Sequence, residues 1–411
     1  MATTYLTPGV YIEEVPEGPR PIEGVGTNTA GFVGEAPDAK KHVNEVVAIN
    51  NWSDFRRNFA DEEGCKSTPL SHAVYGFFQN GGVRCYIVNV GPRGNIAGGG
   101  RKREGLKLLE TIDEIAIVAA PGYSDAASYD AVLSHCENLK DRVAILDPPR
   151  EVSSTHALTE VVTASSSSRP SDDEGGGEGG ASSGGLRARQ SDGGFGAMYF
   201  PYITVKDPLP PNELVDVAPS GHMAGIWART DATRGVHKAP ANENVRGALN
   251  VTYSTTKEEQ GELNPAGVNV IRFFGTEGIR VWGARTLADS ASEWRYLNVR
   301  RLFNMIEESI EESTRWIVFE PNDRTLWRSI RRDVTAFLTR LWRDGALMGA
   351  TPQQAFFVQC DEETNPPDMI DAGMVVTRIG IAPVKPAEFI LFRISQFAGG
   401  AEVEIEGGTN A

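Results

Sequence analysis

Two periods of apolar residues alternate along this chain. Short, largely apolar strand-like runs stand at 30–33, 85–90, 114–119 and 143–146, and between them the spacing lengthens to three or four residues at 53–59, 69–80 and 129–139. Short apolar runs bounded by turns are strands buried on both faces, and the longer period marks amphipathic helices. A sheet covered by helices is therefore expected up to about residue 150. Order resumes with a strand at 198–205, followed by a loop-rich stretch from 208 to 265. A second mixed run then predicts strands at 278–285 and 315–319, helices at 292–312 and 322–344, and strands at 355–360, 373–382 and 387–397. The fold class is α/β (α+β), with sheets covered by helices.

Three segments break this pattern. In residues 1–24, Pro8, Gly9, Pro16, Gly18, Pro19 and Pro21 exclude a helix, whereas Val10-Tyr11-Ile12-Glu13-Glu14-Val15 reads as one short strand. At the other end Val403 and Ile405 face one way and Glu402, Glu404 and Glu406 the other, between Gly399-Gly400 and Gly407-Gly408. Neither strand is placed to belong to its own core, so both termini are read as extended arms. Between 165 and 196, SSSSRPSDDEGGGEGGASSGGLRARQSDGGFG offers almost nothing to bury and predicts a surface excursion. The expected divisions are an arm at 1–24, an N-terminal α/β part at 25–150, a variable region at 151–197, a C-terminal α/β domain at 198–397 and an arm at 398–411.

Composition narrows the function classes. With 40 Lys+Arg against 55 Asp+Glu, the formal net charge of -15 disfavours nucleic acid and anionic membranes as partners. Cys65, Cys85, Cys136 and Cys360 form no C-x-x-C pair, which argues against a zinc ribbon or a thioredoxin-type motif. The N-terminus lacks the pattern of a cleaved leader, and the best apolar stretch, 389–394, is interrupted at Arg393, so a protein made and kept soluble in the cytoplasm is expected. Gly64-Cys65-Lys66-Ser67 carries an extra residue before Lys, and Gly98-Gly99-Gly100-Arg101-Lys102 lacks the glycine spacing of a nucleotide site. The six histidines form no H-x-x-x-H pair, and Ser220-Gly221-His222 reads as a loop without a nucleophile elbow. Glu307, Glu308, Glu311 and Glu312 read as a solvated helix face. No catalytic residue, metal site or cofactor is expected, and the chain is read as not an enzyme.

One helix stands out. Along 322–344, Leu326, Trp327, Ile330, Val334, Phe337, Leu338, Leu341 and Trp342 make a single apolar stripe. Opposite it lie Arg328, Arg332 and Arg343, with Arg324 and Arg331 at its flanks, so the helix has six arginines against Asp323, Asp333 and Asp344. A net positive helix in a net negative chain is either a docking surface for an acidic partner or an ordinary solvated face.

Several motifs together resemble the contractile tail sheath family. They are Thr7-Pro8-Gly9-Val10-Tyr11-Ile12-Glu13-Glu14, the stretch from Pro219-Ser220-Gly221-His222 through Arg229-Thr230-Asp231 to Lys238-Ala239-Pro240-Ala241-Asn242, and Gly283-Ala284-Arg285-Thr286. Trp294-Arg295-Tyr296-Leu297-Asn298-Val299-Arg300-Arg301, Phe319-Glu320-Pro321-Asn322 and Pro383-Val384-Lys385-Pro386-Ala387-Glu388-Phe389 continue the series in the family's order, whereas residues 100–200 match weakly. The resemblance implies a structural and mechanical subunit. It would polymerise as stacked hexameric rings around an inner tube and contract from a metastable extended state, driving the tube through a target envelope without consuming nucleotide.

It also implies roles for particular residues. The N-terminal arm (Pro8, Gly9, Val10, Tyr11, Ile12, Glu13, Glu14, Val15) and the C-terminal arm (Phe389, Ile390, Leu391, Phe392, Ile394, Val403, Ile405) would add strands to neighbouring subunits. The helix at 322–344 would face the tube through Arg324, Arg328, Arg331, Arg332 and Arg343. Pro16, Gly18, Gly399 and Gly400 are hinge candidates, because such linkers absorb changes in φ and ψ without breaking strands. Expected partners are copies of the chain and any paralogous sheath subunits, the inner tube, and baseplate and terminal cap proteins. Nucleic acid and direct membrane insertion are not expected. Assembly in the bacterial cytoplasm, into an injection particle or a virion tail, is. The opening and the PVKPAEF segment look more like the injection-system branch than a contractile phage tail; an α/β hydrolase or nucleotide-binding enzyme is the remote alternative.

Overall fold

The computed structural model describes residues 21–61, 64–92, 94–99, 102–163 and 185–397, and 400–405; for 392–397 and 400–405 it describes the backbone path alone. The expected N-terminal arm from Pro8 to Val15, and the hinge candidates Pro16, Gly18 and Gly399, lie outside these residues. The chain divides into two compact units, Val25–Glu308 with Pro383–Ala411, and Ser309–Ala382 with Met1–Gly24. These units are cut at different places from the boundaries expected from composition.

The first unit holds β1 (Ala30–Gly34), β2 (Val46–Ile49), α1 (Trp52–Phe59), α2 (Pro69–Gln79), β3 (Cys85–Asn89), β4 (Ile117–Ala119), α3 (Ala126–Leu139) and β5 (Val143–Leu146). Next come β6 (Gly196–Phe200), β7 (Ile203–Lys206), β8 (Leu214–Val217), α4 (Ser220–Arg234), β9 (Ala248–Val251), α5 (Lys257–Leu263), β10 (Val268–Phe273) and β11 (Ile279–Val281). Eight strands form one sheet in the order β11-β10-β6-β5-β4-β1-β3-β2, parallel from β10 to β3 and antiparallel at both edges. The sheet thus takes strands from both sides of the 165–196 excursion. A second sheet, β8-β7-β9, is antiparallel.

The apolar runs are strands for the expected reason. Successive residues point to opposite faces, and each face has its own core. Phe32, Ile87, Ile117, Ile145 and Tyr199 pack with Phe55, Phe59, Leu70, Val74, Phe77 and Trp227 on the side of α1, α2 and α4. Their neighbours Val33, Val88, Val118, Leu146 and Met198 pack with Leu109, Tyr129, Val132 and Leu133 on the side of α3.

Residues 208–265 correct the sequence reading, because the stretch expected to be loop-rich contains β8, α4, β9 and α5. Ser220, Gly221 and His222, read as a loop, are the first turn of α4. That helix is hidden from a periodicity search because ten of its fifteen residues are buried, leaving no polar face to alternate with an apolar one. Its glycines are required by the close approach of α2. A Cβ on Gly221 would stand 2.2 Å from Ala73 Cα, and one on Gly225 would stand 2.4 Å from the Phe77 carbonyl oxygen.

The chain passes between units within α6 (Leu297–Ser313). The second unit contains α7 (Arg324–Arg343), α8 (Pro352–Ala355), β12 (Phe356–Gln359), α9 (Pro367–Asp371) and β13 (Arg378–Ile381). β12 and β13 pair antiparallel with Phe356 opposite Ile381. The strand expected at 315–319 is instead a short 3-10 helix, Arg315–Ile317, and Phe319 beyond it has φ +71 in the left-handed region. Expected strands were also too long at 373–382, where α9 and Gly373 (φ +71) precede β13. At 387–397 only β14 (Phe392–Phe397) is strand, and it pairs antiparallel with β15 (Gly400–Ile405), Phe392 opposite Ile405 and Phe397 opposite Gly400.

Candidate functional site

The arginine-bearing helix is built by local rules. Asp323 caps α7, its Oδ1 accepting from the backbone N–H groups of Thr325 and Leu326, both at 2.8 Å, which satisfies two of the donors that a helix start leaves unpaired. Asn322 fixes the entry: its Oδ1 accepts from Trp327 Nε1 at 2.8 Å, and its Nδ2 donates to the Met374 carbonyl at 2.9 Å. Leu326, Trp327, Ile330, Val334, Phe337 and Leu338 are buried, and Leu341 and Trp342 half-buried, as the stripe required.

All five predicted tube-facing residues, Arg324, Arg328, Arg331, Arg332 and Arg343, are exposed. Arg324 meets Glu362 at 2.6 Å and Arg332 meets Asp333 at 2.8 Å. The Arg324–Glu362 pair, exposed on both sides, contributes about 0–1 kcal/mol, so that guanidinium can change partner at little cost, whereas Arg332 is tied to a buried carboxylate. Arg324, Arg328, Arg331 and Trp327 line a groove of about 320 Å³ with Cys360, Asp361 and Glu362. This surface can bind carboxylates through forked, charge-assisted hydrogen bonds.

The C-terminal segment is held differently on its two sides. Asn298 Nδ2 donates to the carbonyls of His237 (2.7 Å) and Val384 (3.0 Å), and Arg285 clasps Glu388 through Nε (3.0 Å) and Nη2 (2.6 Å). Immediately beyond, Phe389, Ile390 and Leu391 are 81%, 71% and 60% exposed. Gly400, a hinge candidate, opens β15.

Sequence reasoning missed the buried polar residues that hold loops in place. Asn80, Asn89 and Asn269 are fully buried, and each spans two chain segments. Asn80 takes the Arg246 N–H at 2.9 Å and donates to the Arg246 carbonyl at 3.0 Å, and Asn269 does the same for Arg285 at 2.7 and 2.8 Å. Asp231 and Arg301, from two of the motifs, form a buried forked pair at 2.5 and 2.9 Å, with Arg301 over the Trp227 ring. The position of each in a recurrent motif was the available signal, because no periodicity reports a buried polar group.

At the carboxyl ends of β4 and β5, where open α/β sheets commonly take ligands, the space is used by the fold. Asp147 accepts from the N–H of Gly122 (3.2 Å) and from the N–H and hydroxyl of Ser220 (2.8 and 2.6 Å), so its carboxylate faces the start of α4. Burial pushes its carboxyl up to about 6, against the hydrogen bonds from Ser220 and Gly122 that lower it. Among the described residues no group of three or more His, Cys, Asp or Glu is poised to hold a metal, and no helix is long and apolar enough to cross a membrane.

Residues 104–287 match the phage tail sheath protein central domain and residues 289–397 the phage tail sheath C-terminal domain. The chain belongs to the contractile tail sheath family. Among curated sheath proteins, that of Vibrio phage KVP40 is 29% identical over 174 residues, 42% of this chain and 25% of the relative. The putative prophage major tail sheath protein of Pseudomonas aeruginosa (strain UCBPP-PA14) is 28% identical over 179 residues, 43% of this chain and 45% of the relative. The matched segment thus spans about a quarter of the phage relative and under half of the prophage one. Solved structures match over nearly their whole length. The sheath complex of PVC, an extracellular contractile injection system, in its contracted state shares 28% identity with a TM-score of 0.75, over 97% of this chain and 99% of that one. A chain of the anti-feeding prophage baseplate shares 29% with a TM-score of 0.73, over 96% and 100%. The curated relatives are tail sheath proteins and the PVC match is a sheath complex, in agreement with the family expected from the motifs and with the α/β class expected from the apolar pattern.

Proposed function

We propose that this chain is the repeating mechanical subunit of a contractile injection particle. It stacks as hexameric rings around an inner tube and shortens from a metastable extended state to drive the tube forward. The observation that carries the reading is the end-to-end likeness to injection-system sheath chains, against the partial overlap with phage sheath proteins. The two termini, Pro8 to Val15 and Phe389 to Ile405, are the links between subunits, adding strands to sheets of neighbouring copies. α7 faces the tube, where Arg328 and Arg331 meet acidic side chains. Contacts of this kind release when the sheath contracts, which a large apolar interface would not allow. Small gains per subunit, summed along the particle, make the change cooperative. Baseplate and cap proteins bound the sheath at its ends, and assembly takes place in the bacterial cytoplasm.

The test is electron microscopy of the full chain expressed with its tube gene, beside a chain lacking residues 1–15 and an R328E/R331E variant. Striated hollow cylinders are expected from the intact chain alone, with the double variant remaining folded but failing to coat tubes. An intact chain that stays monomeric overturns the reading. A contractile phage tail is the second reading, favoured by the phage origin of curated relatives, and a capsid gene beside this one would select it.

A further inference from the structure

We infer that Arg285, supported by Tyr296 and Asn298, anchors the C-terminal strap to its own subunit, so that the strap pivots between Glu388 and Phe389. The inference rests on the sheath reading, because only a strap engaged by a neighbouring copy has a load to carry. It joins three motifs whose purpose the sheath reading leaves unexplained: Gly283-Ala284-Arg285-Thr286, Trp294 to Arg301, and Pro383 to Phe389.

The geometry is that of a clamp. Arg285 reaches both carboxylate oxygens of Glu388 at 3.0 and 2.6 Å, and the Tyr296 hydroxyl donates to Oε2 at 3.4 Å. The arginine is itself held in place, because fully buried Asn269 binds its N–H at 2.7 Å and its carbonyl at 2.8 Å. Four residues upstream, Asn298 holds the Val384 carbonyl at 3.0 Å. Pro386 fixes φ between these attachments, Pro383 does so just before the first, and together they stiffen the span.

Past Glu388 the environment of the chain changes abruptly. Three consecutive large apolar residues, Phe389, Ile390 and Leu391, are exposed, whereas the clamp side chains are 12% and 16% exposed. A forked guanidinium–carboxylate pair resists displacement in both in-plane directions, which a lysine or an apolar contact does not. Tension from a captured strand is therefore borne at Glu388, and rotation is left to the next residue. Arg285, Tyr296 and Asn298 are positioning residues: they aim the strap without touching the partner.

The test uses the full chain with R285K, E388Q and the exchanged pair R285E/E388R. Chymotrypsin cleavage after Phe389 and Leu391 of the unassembled chain reads the anchor directly, because a protease needs a freely moving segment on both sides of the bond, and pelleted sheath from co-expression with the tube gene reads its consequence. In E388Q, cleavage there is expected to be about tenfold faster, with sheath yield down at least tenfold and the global unfolding midpoint unchanged. The exchanged pair should recover part of both. Unchanged cleavage in E388Q overturns the anchor whether or not sheath forms, and lost assembly with unchanged cleavage would place Glu388 at a subunit interface instead. Faster cleavage in E388Q with full sheath yield would overturn its load-bearing role. If the wild-type chain forms no sheath, the sheath reading fails while the cleavage measurement still decides the clamp.

Discussion

Replacing Gly221 by alanine isolates the contact between α2 and α4. On a free helix the change stabilises by about 1 kcal/mol, since glycine loses the most backbone entropy on folding. Here the added Cβ would lie 2.2 Å from Ala73 Cα, about 1.2 Å inside the 3.4 Å at which ordinary contact begins, and it would meet backbone that cannot rotate away. The helices must separate by roughly that distance. A gap of about 1 Å forfeits up to half of each dispersion contact, and the flanking residues His222, Met223, Ile226 and Trp227 are all within 1% of complete burial. Overpacking costs about 1–3 kcal/mol, and an overlap this deep against backbone belongs at the top of that range, leaving a net loss of about 2 kcal/mol after the propensity gain. At about 2–4 °C per kcal/mol for a large unit, the unfolding midpoint should fall by about 4–8 °C. The assay is reversible urea unfolding of the unassembled chain, followed by tryptophan fluorescence, and a thermal scan. Gly261 on α5 is the control: a Cβ there meets nothing within 4 Å, so Gly261→Ala should stabilise by up to about 1 kcal/mol. If Gly221→Ala matches the wild type while Gly261→Ala behaves as expected, the helix pair relaxes freely and the close-contact argument is wrong.

Three further outcomes rest on particular residues. Burial, then the neighbouring charge of His72, holds the His222 imidazole down at about 3, below its unfolded value near 6.5, so its contribution is complete above pH 6.5 and lost as pH falls toward 3. His222→Leu should therefore gain about 2 kcal/mol relative to wild type on going from pH 7.5 to pH 5; parallel stability curves over that range would refute this, and comparing the two chains cancels the opposite contribution of Asp147. Asp323→Ala should lower stability by about 1 kcal/mol in urea unfolding through loss of the α7 cap, and no change would mean that water replaces it. Asn269→Ala removes the partners of the Arg285 N–H and carbonyl and should cost about 3 kcal/mol or more; a loss below 1 kcal/mol would show that the Arg285 segment is held by other contacts.

How much of this was legible in the sequence depended on whether a residue's role repeats along the chain. The strands of the main sheet were readable because Phe32 and Val33, or Ile117 and Val118, are apolar on both faces, and burial of both faces writes an unbroken apolar run. α7 was readable because one face is buried and the other exposed, so the 3.6-residue period is written in residue type. α4 was not, because burial on nearly every side erases that period, and Gly221 and Gly225 suggest a loop until α2 is seen against them. The short 3-10 helix at Arg315–Ile317 was misread as strand because three apolar residues, Trp316, Ile317 and Val318, fit either structure. Joining strands from either side of the 165–196 excursion into one sheet was beyond any local pattern, since pairing is a long-range choice. The sequence by itself determined the element types of the main sheet, the charge of α7 and the family motifs. Only the tertiary structure decided that Arg285 meets Glu388 and Asp231 meets Arg301, because each pair joins segments far apart in the chain whose approach is fixed by packing and not by spacing.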